Sequence, residues 1–284
     1  MVVEEFPVGE PGAGPYGVVV GGDGAVWVTE VHHGRIGRWS GTGYSAVALP
    51  DPAGRPSVPA IGPDGALWFT ETAGHRIGRV GPDGGLSSFP VPGAGPFGLT
   101  AGPDGALWFT AMNTGRVGRI STSGDVVQFD VPGGGFPAMI TAGPDGALWF
   151  ALNQADAIGR VTTSGDVTTH PLPTAGANPV GITATPDAVW FVEIGAGQVG
   201  RITPDGRVAE FPLPDREAKP HAIAAAPDGS CWFTEWATGR VGRIAPDGTV
   251  ETHDLPGAEP HGVAVGPDGA VWVALESGAL ARLT

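Results

Sequence analysis

Seven tryptophans, Trp27, Trp68, Trp108, Trp149, Trp190, Trp232 and Trp272, recur every 40–42 residues through a chain of 284 residues. A period of that length marks a propeller blade, a unit that cannot bury both of its faces alone and must stack on its neighbours. Residues 96–120, PFGLTAGPDGALWFTAMNTGRVGRI, stand for every copy. The short apolar run Gly98–Ala101 meets a Pro103-Asp104-Gly105 turn, and Ala106–Thr110 follows with alternating character. After a polar loop come Arg116–Ile120, a second turn at Gly124-Asp125 and Val126–Val131. Asp-Gly pairs between short β-rich runs are hairpin signals, and no window sustains a helical period. The chain is therefore expected to be all-β: a seven-bladed β-propeller of four-stranded antiparallel blades, forming one domain over residues 1–284.

The ends fit closure of a ring. The seventh unit holds only three strands, Gly262–Gly266, Val271–Leu275 and Leu280–Thr284. The segment Val2–Pro7 resembles the fourth-strand ends Glu210-Phe211-Pro212 and Gln128–Pro132 of other units, so it is expected to complete the last blade. Closure leaves only short, protected strand edges.

Composition narrows the partners. The 49 glycines and 29 prolines sit at fixed offsets beside Asp and apolar runs, which is turn punctuation and not disorder. A net charge of −14 argues against nucleic acid, whose phosphates require a Lys and Arg surplus, and slightly favours a cation. Cys231 is the only cysteine, so no internal disulfide forms and a buried, reduced thiol is expected. The start MVVEEFPV has no basic stretch followed by an apolar one, and no apolar run approaches the ~20 residues of a membrane helix. A soluble, cytoplasmic monomer without a membrane partner is expected.

Residues repeated in every unit are read as structural. The tryptophans form the core. Arg38, Arg79, Arg119, Arg160, Arg201, Arg243 and Arg282 are expected to hydrogen-bond between blades, since one active site does not need seven copies. Glu30, Glu71, Glu193 and Glu235 follow the same logic. His32-His33 is read as plain surface, and His75, His170 and His253 as surface residues of loops or outer strands.

Three positions vary while their flanks hold nearly constant. The residue after the proline that heads each innermost strand is Tyr16, Ser57, Phe97, Ala138, Val180, His221 or His261. The residue before that proline is Gly14, Arg55, Gly95, Phe136, Asn178, Lys219 or Glu259. Four residues beyond each Trp stand Val31, Thr72, Met112, Asn153, Ile194, Trp236 and Glu276. Because the first two strands of a blade are antiparallel, all three positions fall at one end of the ring, around the central funnel. Units 6 and 7 bring His221, His261, Glu259, Glu276 and Trp236 there, and ring closure adds Tyr16. Two carboxylates suit a hard cation such as Mg²⁺, and a neutral histidine beside it can accept a proton. Five polar residues on a solvated rim would show the same pattern.

The units PDGALWFTE and GRIGRI, Ala218-Lys219-Pro220-His221-Ala222-Ile223 with Phe233-Thr234-Glu235-Trp236, and Ala258-Glu259-Pro260-His261-Gly262 with Trp272–Glu276 resemble the virginiamycin B lyase, or streptogramin B lyase, family over essentially the whole chain. The resemblance implies a Mg²⁺-dependent lyase that linearises type B streptogramins, cyclic depsipeptides, by elimination at the ester linkage and so confers antibiotic resistance. Carried over by motif, His261 is the general base, Glu259 and Glu276 are the Mg²⁺ ligands, and His221 is a substrate contact. Tyr16 matches an aromatic at the substrate mouth, and Trp236 is read with it as substrate-binding. The Ser277-Gly278-Ala279 turn departs from the GRIGR pattern of the other units. Two other readings are a metal-dependent lactonase-type propeller hydrolase and a non-catalytic ligand-binding propeller.

Overall fold

The computed structural model describes residues 1–41 and 43–284. Twenty-eight strands among them form seven antiparallel sheets of four, each ordered as in the sequence except for the last. Blade 3 is typical, with strands Pro96–Ala101, Leu107–Ala111, Arg116–Ile120 and Val126–Asp130, within a residue or two of expectation. In blade 7, strand Val3–Pro7 lies beside Ala279–Leu283 from Val3 opposite Leu283 to Pro7 opposite Ala279. The chain start thus completes the last blade. First strands line the axis, and Pro15–Val20 packs against both Pro56–Ile61 and Pro260–Val265, which closes the ring.

Burial explains why each strand has its composition. The second strand of blade 3 is buried at all five positions, because it is sandwiched between neighbouring blades. Its alternating character is therefore not an inside–outside pattern: the polar member, Thr110, is buried and hydrogen-bonded. Its hydroxyl accepts from Gly98 N–H (2.8 Å) and donates to the Ala138 carbonyl of the next blade (2.5 Å). Outer strands carry mostly exposed residues around one aromatic, and that aromatic stacks on the blade's Trp. Phe89 lies 5.3 Å from Trp68, Phe129 5.6 Å from Trp108 and Phe211 5.6 Å from Trp190, between ring centres. In blade 7 the N-terminal strand supplies the partner, Phe6, at 5.6 Å from Trp272.

Two expectations need correction here. His170 and His253 are not plain surface: they occupy the aromatic position of the outer strands of blades 4 and 6, packing 5.4 Å from Trp149 and 5.9 Å from Trp232. The seven arginines are structural, but they pair within their own blade. Each faces the Trp across the strand pair, as Arg79 faces Trp68, so its guanidinium reaches the Asp of the same blade's first turn. Arg79 Nε lies 2.8 Å from Asp64 and Arg119 Nε 2.6 Å from Asp104. Asp104 also accepts the indole N–H of Trp108 at 3.1 Å, so one carboxylate joins turn, core and third strand.

Blade 1 breaks the stack. Val47 holds the position of Phe89 and Phe129, opposite Ile36, and Trp27 is only half-buried. A groove of about 730 Å³ opens there between blades 1 and 2. The buried glutamates behave as expected with one exception. Glu71 pairs with Arg76 (2.9 Å), Glu235 with Thr238 (2.9 Å) and Arg240 (3.5 Å), and Glu30 with Tyr44. Glu193 faces Gln198 instead, at 2.6 Å, and burial pushes its carboxyl up to about 7. Cys231 is buried and free, as expected. No helix among the described residues is long and apolar enough to cross a membrane.

Candidate active site

Each innermost strand begins with an irregularity. Pro260 faces Leu275 while Val263 faces Val273, so one extra residue is inserted between them. The same slip follows Pro15 and Pro220. A bulge re-aims the side chains it carries, and the bulged residues are those that vary between blades: Tyr16, His221 and His261. Glycine lets adjacent bulges approach. A Cβ at Gly262 would lie 2.6 Å from the Tyr16 carbonyl, and one at Gly181 would lie 2.6 Å from that of His221.

The loops that carry the other two variable positions are tied together. Glu276 N–H donates to the Glu259 carbonyl at 3.2 Å, and Trp236 N–H to that of Lys219 at 3.2 Å. The residue before the proline has a left-handed backbone, with φ of 55° at Glu259 and 53° at Lys219. These ties place all three variable positions at one end of the ring.

Within that end the structure brings together four of the six residues expected there. His261 Nε2 lies 2.5 Å from Glu276 Oε2. The Tyr16 ring stands 4.7 Å from the His261 ring and 6.0 Å from that of His221, and the two imidazoles meet edge to face at 5.2 Å. Below them the axis narrows to an apolar channel of about 120 Å³, with Phe97, Met139 and Val180 in its wall. Burial, together with the neighbouring His261, pushes the His221 imidazole down to about 4, so His221 is neutral at neutral pH. Burial and nearby Glu276 push the Tyr16 phenol well above its ordinary 10, so it keeps its proton. Partial burial raises the Glu276 carboxyl, but the hydrogen bonds from His261 and His32 more than offset this and hold it below the usual range.

Glu259 and Trp236 stand apart from that group. Both line a groove of about 780 Å³ between the loops of blades 6 and 7. Trp236 is 40% exposed, and the Glu259 carboxylate has no ion-pair or hydrogen-bond partner among the described residues. The expected donors fit a hard cation in chemistry: two carboxylates on loops joined by a backbone hydrogen bond, in a site open to water. Mg²⁺ takes one or two carboxylates and keeps several waters. A closed protein cage is not formed, since no three His, Cys, Asp or Glu side chains among the described residues converge on one ion position.

One residue was misread from sequence. His32, taken for plain surface, points its Nε2 at Glu276 Oε1 from 3.0 Å. Residues 32 and 276 are at opposite ends of the chain, and only ring closure makes them neighbours. The signal available was the position itself, one residue beyond the variable site Val31 of the blade that adjoins blade 7.

Comparison with known proteins places the whole chain in one family and fold. The model of the virginiamycin B lyase family matches residues 1–283. A streptogramin B lyase structure superposes with a TM-score of 0.96 at 40% identity, covering 100% of this chain and 97% of that one. The selenomethionine-substituted virginiamycin B lyase from Staphylococcus aureus gives 0.96 at 38%, covering 100% and 99%. A catalytically inactive histidine-to-alanine form of the Staphylococcus aureus enzyme, crystallised with quinupristin, gives 0.95 at 38% with the same coverage. No curated protein matches the chain. On the full-length match and these identities, the chain belongs to the virginiamycin B lyase family.

Proposed function

We propose that this protein is a lyase that linearises type B streptogramins by elimination, with Mg²⁺ as cofactor, and that it acts as a cytoplasmic resistance enzyme working as a monomer. The observation that carries the reading is the His261–Glu276 pair at 2.5 Å, set at the funnel mouth beside a neutral His221 and a protonated Tyr16. A related enzyme inactivated by loss of one histidine and crystallised with quinupristin supports a histidine as the essential group.

The chemistry follows from the placement. His261 Nδ1 is buried without a partner and Nε2 is held by Glu276 Oε2, so Nε2 accepts a ligand's proton only in the Nδ1–H tautomer, with the ring turned from that oxygen. It removes the α-proton of the esterified threonine. The Cα–H electron pair becomes the Cα–Cβ double bond, the Cβ–O bond breaks, and its pair leaves on the ester oxygen as a carboxylate. Glu276 orients the imidazole and stabilises the imidazolium that forms. Since the leaving group is already a stabilised anion, no strong general acid is needed. Mg²⁺, held by Glu276 and Glu259, would supply positive charge beside the carbonyl on which negative charge develops. Tyr16 and His221 offer a ring face and neutral polar atoms to the peptide, and Trp236 offers an exposed aromatic surface along the adjoining groove.

Mass spectrometry of a type B streptogramin incubated with the protein, with and without EDTA, tests the reading. Elimination gives a linear product of unchanged mass, formed only without EDTA. A product heavier by one water would establish a hydrolase, and no conversion would leave a binding propeller. His261→Ala should lower turnover by roughly 10²–10⁴-fold, the usual contribution of a general base, with unchanged thermal unfolding.

A further inference from the structure

We propose that His32 is a positioning residue of this site, which blade 1 contributes across the ring-closure seam to hold the Glu276 carboxylate in line with His261. The inference rests on the reading of the site given under Proposed function and adds a member to it. Glu276 divides its two oxygens between two imidazoles: Oε2 lies 2.5 Å from His261 Nε2 and Oε1 lies 3.0 Å from His32 Nε2. A carboxylate gripped at one oxygen can rotate about its last torsion, whereas one gripped at both has its plane set. The flexible Glu276 side chain, on a loop tip, has no other side-chain partner among the described residues to set it.

A second observation shows that room has been made for the His32 ring. Gly14 has a φ of 63°, a conformation that favours glycine, yet five of its six counterparts adopt φ of 48–55° with a side chain: Arg55, Phe136, Asn178, Lys219 and Glu259. Backbone conformation alone therefore does not require glycine at this position. The His32 ring does: a Cβ on residue 14 would stand 1.9 Å from His32 Cδ2 and 2.6 Å from Nε2. The loop is further fixed by His32 N–H donating to the Ala13 carbonyl at 3.1 Å. Glycine at 14 and histidine at 32 thus form a slot that aims one imidazole across the seam between the first and last blades.

The test compares wild type with His32→Ala, His32→Gln and Gly14→Ala. A Gln amide nitrogen sits close to where imidazole Nε2 does and can donate the same hydrogen bond. Outer partners of this kind are worth roughly 10–100-fold in activity or metal affinity. His32→Ala is expected to lower kcat on a type B streptogramin at least tenfold with little change in KM, and to weaken Mn²⁺ binding, measured by titration calorimetry, by a similar factor. His32→Gln is expected to recover most of both, and Gly14→Ala, which keeps the imidazole but fills its slot, to fall between. Thermal unfolding midpoints should stay together, since His32 is partly exposed. Wild-type kcat and wild-type Mn²⁺ affinity in His32→Ala would overturn the proposal, as would a loss that His32→Gln does not repair. If wild type converts no streptogramin but binds Mn²⁺, the reaction is misread while the Mn²⁺ series still decides for or against His32. A wild-type protein with neither property overturns both.

Discussion

Glu193 offers a quantitative test of how the blades are held together. It is fully buried at the end of the second strand of blade 5, where Glu71 and Glu235 of other blades have an arginine beside them. Its neighbour is the uncharged Gln198, and Glu193 Oε1 has no partner among the described residues. Burial moves its carboxyl from 4.5 up to about 7. Below 4.5 the group is protonated in both folded and unfolded chains and has no effect on stability. Between 4.5 and 7 the unfolded chain ionises while the folded one keeps its proton, so stability falls as pH rises; above 7 the penalty is complete. At 1.36 kcal/mol per pH unit the displacement corresponds to about 3 kcal/mol, and allowing for solvent screening near the loop end leaves about 2 kcal/mol. Glu193→Gln removes the charge and keeps an amide for Gln198. It should stabilise the protein by about 2 kcal/mol at pH 8, a rise of about 4 °C for a chain of this size, and leave it nearly unchanged at pH 4.5. Urea unfolding of both proteins at the two pH values measures this. A difference between them that is the same at pH 4.5 and pH 8 would refute the reasoning.

Three further outcomes are expected. Deleting residues 1–8 removes both the outer strand of blade 7 and Phe6 from the face of Trp272, and should cost more than about 3 kcal/mol in urea unfolding; an unchanged midpoint would show that the strand does not secure the ring. Val47→Phe should restore the stack on Trp27 that the other blades possess and raise stability by about 1 kcal/mol, read as an upward shift in thermal midpoint; an unchanged or lower midpoint would show that the groove between blades 1 and 2 does not admit a ring. Thr234→Val removes the hydroxyl that accepts from Ala222 N–H (3.0 Å) and donates to the His261 carbonyl (2.9 Å), and should cost about 2 kcal/mol; the like-placed Ala151, Val192 and Ala274 show that the fold tolerates the loss of the hydroxyl.

Most of the architecture was readable because it is written seven times. The Trp period, the Asp-Gly turns and the three-strand seventh unit together specify blade number, strand order and the closing role of Val3–Pro7. The contact between His261 and Glu276 was also legible, since the two residues lie at neighbouring ends of one antiparallel pair. Less was visible where geometry depends on cross-strand register or on the closed ring. Repetition marks the arginines as structural without saying what they pair with; that each faces its own Trp is a matter of register. His170 and His253 looked like surface because histidine at an outer strand gives no sign that it replaces a phenylalanine on the Trp. His32 was missed because its partner is 244 residues away, and two adjacent histidines in an exposed loop give no hint of a carboxylate across the seam.

The seam between blades 1 and 7 joins two functions usually kept apart in a protein. The strand pairing that fastens the circle and the side chains that face the ligand come from the same two ends of the polypeptide. Six sheets are each built from consecutive strands, whereas His261 and Glu276 meet Tyr16 and His32 only when the first and last blades lie side by side. The contact that closes the circle and the candidate site are therefore made in one event.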